Sequence, residues 1–117
     1  MKLLVVGSRS IAKFDLSQYI PKDIDLIITG GASGIDSIAE FFADKHKISK
    51  LVLRPQYHIY KKAAPLKRNE KMVNLADEIL VIWDGKSKGT KYTIEYAKHK
   101  NKNMHIIYIN DLEQEIK

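Results

Sequence analysis

"EILVIWDGKSKGTKYTIEYAKHK", Glu78 to Lys100, sets an unbroken apolar run, Ile79 to Trp83, ahead of a glycine-broken polar turn and a helical pattern. A run that is apolar at every position, rather than at every second one, reads as a strand covered on both faces. Behind the turn, Thr93, Ile94 and Ala97 fall inward on a helix over roughly Thr90 to His99. A buried strand, a polar turn and an amphipathic helix in this order are one half of a parallel β-α-β crossover.

The rest of the chain repeats the pattern. Further apolar runs are "LLVV" (Leu3 to Val6), "LIIT" (Leu26 to Thr29), "LVL" (Leu51 to Leu53) and "HIIYI" (His105 to Ile109). Ile35, Ile38, Ala39, Phe42 and Ala43 form a helical stripe, and a second helix begins at Pro65 with Met72, Val73 and Ala76 on one face. A shorter helix is expected around Asp15 to Tyr19. The tail "DLEQEI" is expected to add one turn, since Asp111 and Gln114 have capping-box spacing. Strands alternating with helices predict an α/β fold: a Rossmann-like three-layer sandwich on a mainly parallel, doubly wound sheet of about five strands.

Composition narrows the chemistry. The 117 residues fit one domain spanning 1–117, with 44% apolar residues to fill its core. There is no cysteine, which removes disulfides, thiolate metal sites and thiol nucleophiles. His46, His58, His99 and His105 show no metal-ligand spacing, so neither a metal nor a cofactor is expected. "MKLLVVGSRS" lacks the long apolar stretch and cleavage site of a signal peptide, and no segment can span a bilayer. A cytoplasmic protein without membrane partners is expected. The net charge of +6 suits polyanionic partners and ordinary solubility equally.

In doubly wound folds ligands gather beyond the carboxyl ends of the strands. The segments there are "GSRS", "GGASGID", "RPQY" and "DGKSKGT". Their small residues allow backbone N–H groups to approach an anion, and also serve turns and caps. In "SGID", Ser33 and Asp36 have capping-box spacing, which would occupy N–H donors and set a carboxylate at the helix mouth. In "DGKSKGTK", Ser87 and Thr90 offer hydroxyls among Lys86, Lys88 and Lys91, and the turn is read as a phosphate seat. No Walker pattern is present. Arg9 can fork onto a phosphate or extend into solvent. Arg68 and Asn69 fall in the first turns of the helix from Pro65, where the dipole disfavours cations and a bound anion would relieve the conflict. Tyr57 and Tyr60 can stack on a base or pack over the sheet edge.

Taken in order, "VVGSRS", "ITGGASGIDSIAEFFA" and "APLKRNEKMVNLADEILVIWDGKSKGTKYTIEYAK" resemble the SLOG superfamily, and within it the small standalone YspA-type proteins. The resemblance runs over nearly the whole chain and implies a Rossmann-like domain that binds nucleotides or nucleotide-derived ligands. Lonely Guy phosphoribohydrolases, relatives in the superfamily, use R-x-x-x-M and P-G-G-x-G-T-x-x-E motifs. Arg68 and Met72 match the first motif, and Gly89 and Thr90 the end of the second. Where the glutamate is required this chain has Thr93, and Glu95 lies two residues further, about 200° around a helix. DNA-processing protein A, another relative, has a loop similar to "GGASGID" that contacts DNA phosphate.

The resulting expectation is a binding module for a nucleotide or ADP-ribose-like ligand. Its binding residues are Gly7, Ser8, Arg9, Gly30, Gly31, Ser33, Asp36, Asn69, Gly85, Ser87, Gly89 and Thr90. The alternatives are a nucleoside 5′-monophosphate N-glycosidic hydrolase, with Arg68, Asp84 and Glu95 as catalytic candidates, and a single-stranded DNA binder using "GGASGID" and "KHKNKN". Pairing among superfamily relatives adds the expectation of a homodimer or higher homo-oligomer.

Overall fold

A computed structural model describes residues 1–109; the turn expected from Asp111 and Gln114 lies outside them. Five strands, β1 (Lys2–Gly7), β2 (Leu26–Thr29), β3 (Ser49–Val52), β4 (Glu78–Trp83) and β5 (Asn103–Tyr108), form one sheet in the order β3-β2-β1-β4-β5. Every pairing is parallel. The helices are α1 (Ile35–Lys45), the single turn α2 (Tyr57–Tyr60), α3 (Ala64–Leu75) and α4 (Lys88–His99), with a 3₁₀ turn at Lys61–Ala63.

The unbroken apolar runs follow from what covers them. Leu3, Val5, Ile27, Leu80 and Ile82 point to one face, where Ile35, Ala39 and Ala43 of α1 pack with Ile11 and Leu16. Leu4, Val6, Ile28, Ile79 and Val81 point to the other, against Met72, Val73 and Ala76 beside α3 and Ile94 and Ala97 of α4. Each such side chain removed from water contributes about 1.5–3 kcal/mol, so the three central strands carry most of the core. The edge strands differ from the expectation of cover on both faces. β3 is exposed at Ser49, Lys50 and Leu51, and β5 alternates between exposed and half-buried positions.

The helix expected around Asp15 to Tyr19 is a turn instead. The Asp15 carboxylate accepts the Ser17 N–H (2.9 Å) and the Ser17 hydroxyl (2.7 Å), a local closure that competes with helical bonding. Leu16 still reaches the core from this turn.

Chain order sets the position of the cleft. From β1 the connections run through β2 to β3 on the α1 face, then return over the α3 and α4 face to β4 and β5. The connections therefore diverge between β1 and β4, leaving a crevice beyond their carboxyl ends. Backbone packing is tight here: a Cβ on Gly7 would lie 2.2 Å from the Ile82 carbonyl oxygen and 2.6 Å from Ile35 Cγ1.

Helices α1 and α4 end in the same left-handed cap. After α1, the Ile48 N–H donates to the Ala43 carbonyl (2.8 Å) and Lys47 takes φ 56. After α4, the Lys102 N–H donates to the Ala97 carbonyl (3.0 Å) and Asn101 takes φ 55. Asparagine tolerates this conformation, whereas lysine carries the steric cost that glycine avoids. Lys47→Gly should therefore stabilise the protein by about 1 kcal/mol in chemical denaturation; unchanged or reduced stability would contradict the assigned cap.

Candidate functional site

A cleft of ≈ 390 Å³ opens beyond β1 and β4. Gly7, Arg9 and Ser10 border it from the end of β1, Ala32 and Asp36 from the α1 entrance, and Arg68, Asn69 and Met72 from α3. Asp84, Ser87, Lys88, Gly89 and Thr90 close it from the end of β4 and the start of α4.

Asp84 organises the β4 side. Its N–H donates to the Ser8 hydroxyl (2.9 Å), and Ser8, itself fully buried, donates its N–H to the Ile82 carbonyl (3.1 Å). The carboxylate accepts the N–H groups of Lys86 (2.8 Å) and Ser87 (2.9 Å) and the hydroxyls of Ser10 (3.0 Å) and Ser87 (3.2 Å). Partial burial alone would raise the Asp84 pKa, but these donors outweigh it and hold the carboxyl far below the usual carboxylate range. Asp84 is thus ionised at neutral pH and shapes the turn.

The turn leaves α4 open. Ser87 occupies the N-cap position, yet its hydroxyl turns back to Asp84 and α4 has no side-chain cap. The N–H groups of Lys88, Gly89 and Thr90 are the open donors of a helix start, with the positive end of the dipole behind them. A Cβ on Gly89 would meet nothing within 4 Å, so the glycine keeps space free there. Thr90 is buried in the cleft wall, and its hydroxyl has no partner among the described residues. Thr93, one turn further, bonds the Gly89 carbonyl (3.0 Å).

Across the cleft, Arg68 meets the dipole conflict in a way the sequence did not suggest. Its Nη1 donates to the Gly30 carbonyl and to the Leu53 carbonyl (3.1 Å), and Nε donates to Asn69 Oδ1 (2.8 Å). The ends of β2 and β3 thereby hold the cation. Gly30 is needed for this approach: a Cβ there would lie 2.7 Å from Arg68 Nη1. Asp36 also departs from its expected role. No side chain caps α1, whose N-cap residue is Gly34, and Ser33 is exposed. The buried Asp36 carboxylate instead reaches back to accept the Ala32 N–H (3.1 Å) beside Thr29. Burial raises its pKa, opposed by the Ala32 hydrogen bond and the charge of Arg68.

The expected site residues fall into three groups. Gly7, Arg9, Asp36, Arg68, Asn69, Asp84, Ser87, Gly89 and Thr90 border the cleft. Gly30, Gly31 and Ser33 border an adjoining recess together with Arg9, Arg54 and Arg68, while Ser8 lies buried beneath the turn. Gly85 is an exposed turn residue with φ 80, and Glu95 is exposed on α4, away from both spaces. Tyr57 and Tyr60 are exposed on α2, and Tyr57 borders the adjoining recess. Ser10 and Arg54 were missed, although "GSRS" and "RPQY" are the segments that follow strands.

Among the described residues no group of three or more His, Asp or Glu side chains forms a metal cage, and no helix is long and apolar enough to cross a membrane. No protein-family model matches the chain, and neither the curated proteins nor the solved structures contain a match.

The two cleft carboxylates pull stability in opposite directions with pH. Asp84, with its pKa depressed, stabilises the fold above the ordinary carboxylate range and loses that contribution as pH falls through its folded value. Asp36, with its pKa raised, is destabilising when ionised and regains stability as acid protonates it. Asp84→Asn should be less stable than wild type at pH 7, with the gap narrowing below about pH 4. A gap constant with pH in urea titrations would contradict the anionic latch.

Proposed function

We propose that the cleft binds a nucleotide or nucleotide-derived, ADP-ribose-like ligand, with a phosphate seated at the start of α4. The observation that carries this reading is the uncapped α4 N-terminus beside the unpartnered Thr90 hydroxyl, with Lys88 adding positive charge. Donors converging on a helix start favour an anion, and a cleft of ≈ 390 Å³ falls within the usual range for small-molecule sites. Pro65, Leu66 and Met72 provide an apolar wall for the remainder of the ligand. The resemblance of the motif order to that of the SLOG superfamily supports the same ligand class.

Hydrolysis of a nucleoside 5′-monophosphate at its N-glycosidic bond is the second reading, favoured by the opposed pKa displacements of Asp36 and Asp84 in one cleft. Here ionised Asp84 is the stabiliser of oxocarbenium-like charge, with no part for the distant Glu95. Single-stranded DNA has less support. The "KHKNKN" lysines, Lys98, Lys100 and Lys102, lie in and just beyond the last turn of α4, about 15 Å or more along the helix from the phosphate seat.

In calorimetric titrations AMP or ADP-ribose should bind. Thr90→Val should weaken binding roughly tenfold or more, the cost of losing a hydrogen bond to a charged group. Replacing Lys98 and Lys100 with glutamine should leave affinity within about twofold. Chromatography of the same mixtures separates binding from hydrolysis by the appearance of free base. Failure of both ligands to bind, or Thr90→Val binding at wild-type strength, contradicts the phosphate seat.

A further inference from the structure

The chain has 20 lysines and arginines, of which only three are arginines: Arg9, Arg54 and Arg68. All three border one recess of ≈ 230 Å³, although they come from the loop after β1, the loop after β3 and helix α3. Arginine differs from lysine in presenting a planar fork that matches phosphate oxygens in pairs, so this segregation carries chemical information.

Of the three, only Arg68 has a carboxylate, that of Asp36, close enough to offset part of its charge. None of the three arginines forms an ion pair with a carboxylate among the described residues. Arg9 has no hydrogen-bond acceptor among them either. Arg54 makes one long contact, from Nη1 to the Gly31 carbonyl at 3.3 Å. Besides the cost of burial, which is partly offset by Asp36, Arg68 experiences the positive charge of Arg9. Like charges gathered in this way destabilise an empty site and are relieved by an anion.

The backbone makes room for the cluster. A Cβ on Gly31, where φ is 74, would lie 2.5 Å from Arg54 Nη1, just as one on Gly30 would collide with Arg68. The diglycine turn therefore allows two guanidinium groups to pack directly on its backbone. Its Ala32 N–H is already taken by Asp36. The recess shares Arg9, Ala32 and Arg68 with the main cleft, so the two spaces adjoin.

We propose that this recess is a second anion subsite, and that the ligand is a nucleotide carrying phosphate groups at two separated positions. One phosphate sits at the α4 start and the other among the three arginines. The ligand's identity rests on the nucleotide reading of the cleft, whereas the anion subsite does not.

The test begins with the full chain and inorganic phosphate, at constant ionic strength, following the arginine Nε–Hε signals by NMR. The Arg9 and Arg54 signals should move saturably, and Arg54→Gln should weaken the remaining response about tenfold without lowering the melting temperature. Adenosine 3′,5′-bisphosphate should then bind about tenfold tighter than AMP. Arg54→Gln should remove that advantage while keeping AMP affinity within about twofold. If phosphate moves no arginine signal saturably, or if Arg54→Gln retains the bisphosphate advantage, the second subsite is overturned. Nucleotide binding without an arginine response removes only the subsite. An arginine response without nucleotide binding keeps the subsite and contradicts the nucleotide reading.

Discussion

The latch between Asp84 and the end of β1 determines what the strand ends can do. Asp84 donates its N–H to Ser8 and collects donors from Ser10, Lys86 and Ser87. In doing so it fastens β4 to β1 where their connections diverge, and draws the Ser87 hydroxyl away from α4. A free serine at this N-cap position would ordinarily satisfy the first helical N–H groups itself. Because Asp84 claims it, the donors of α4 face a cleft with nothing of their own to bind.

A second constraint acts from the opposite wall. Arg68 ties the carbonyls of Gly30 and Leu53 to α3, and buried Asp36 sits close enough to offset part of its charge. Buried hydrogen bonds and opposed charges of this kind are sensitive to the loss of either member, since the remaining group keeps its desolvation cost. The β2 and β3 ends are thus positioned by α3, while the β1 and β4 ends are positioned by Asp84. The cleft is the space between these two fixings.

The strands, their parallel pairing and the helical faces were legible because they follow from burial. Leu4, Ile28 and Val81 must be covered, and the apolar stripe of α1 has only the sheet to cover it. Edge exposure was not legible, since "LVL" and "HIIYI" read like central strands until the strand order places them outside. The Asp15 turn was hidden for another reason: aspartate two residues before serine can cap or close a turn with similar ease. At the site, the segments after each strand were legible, but their side-chain partners were not. Asp36 stood at capping-box spacing with Ser33 and bonded elsewhere, and Arg54 was overlooked because one arginine in "RPQY" carries no signal. Its meaning lies in convergence with Arg9 and Arg68, across 59 residues of separation that only the fold closes.

The most direct measurement is a backbone ¹H–¹⁵N titration of the full chain with AMP, following the amides of the α4 start. A phosphate seated there predicts saturable downfield movement of the Lys88, Gly89 and Thr90 amide protons, as their open N–H groups acquire a charged acceptor, with Asn101 and Lys102 at the far end of α4 unmoved. Saturable shifts confined to the lysine-rich far end, or no saturable shift at Gly89 and Thr90, would contradict the phosphate seat.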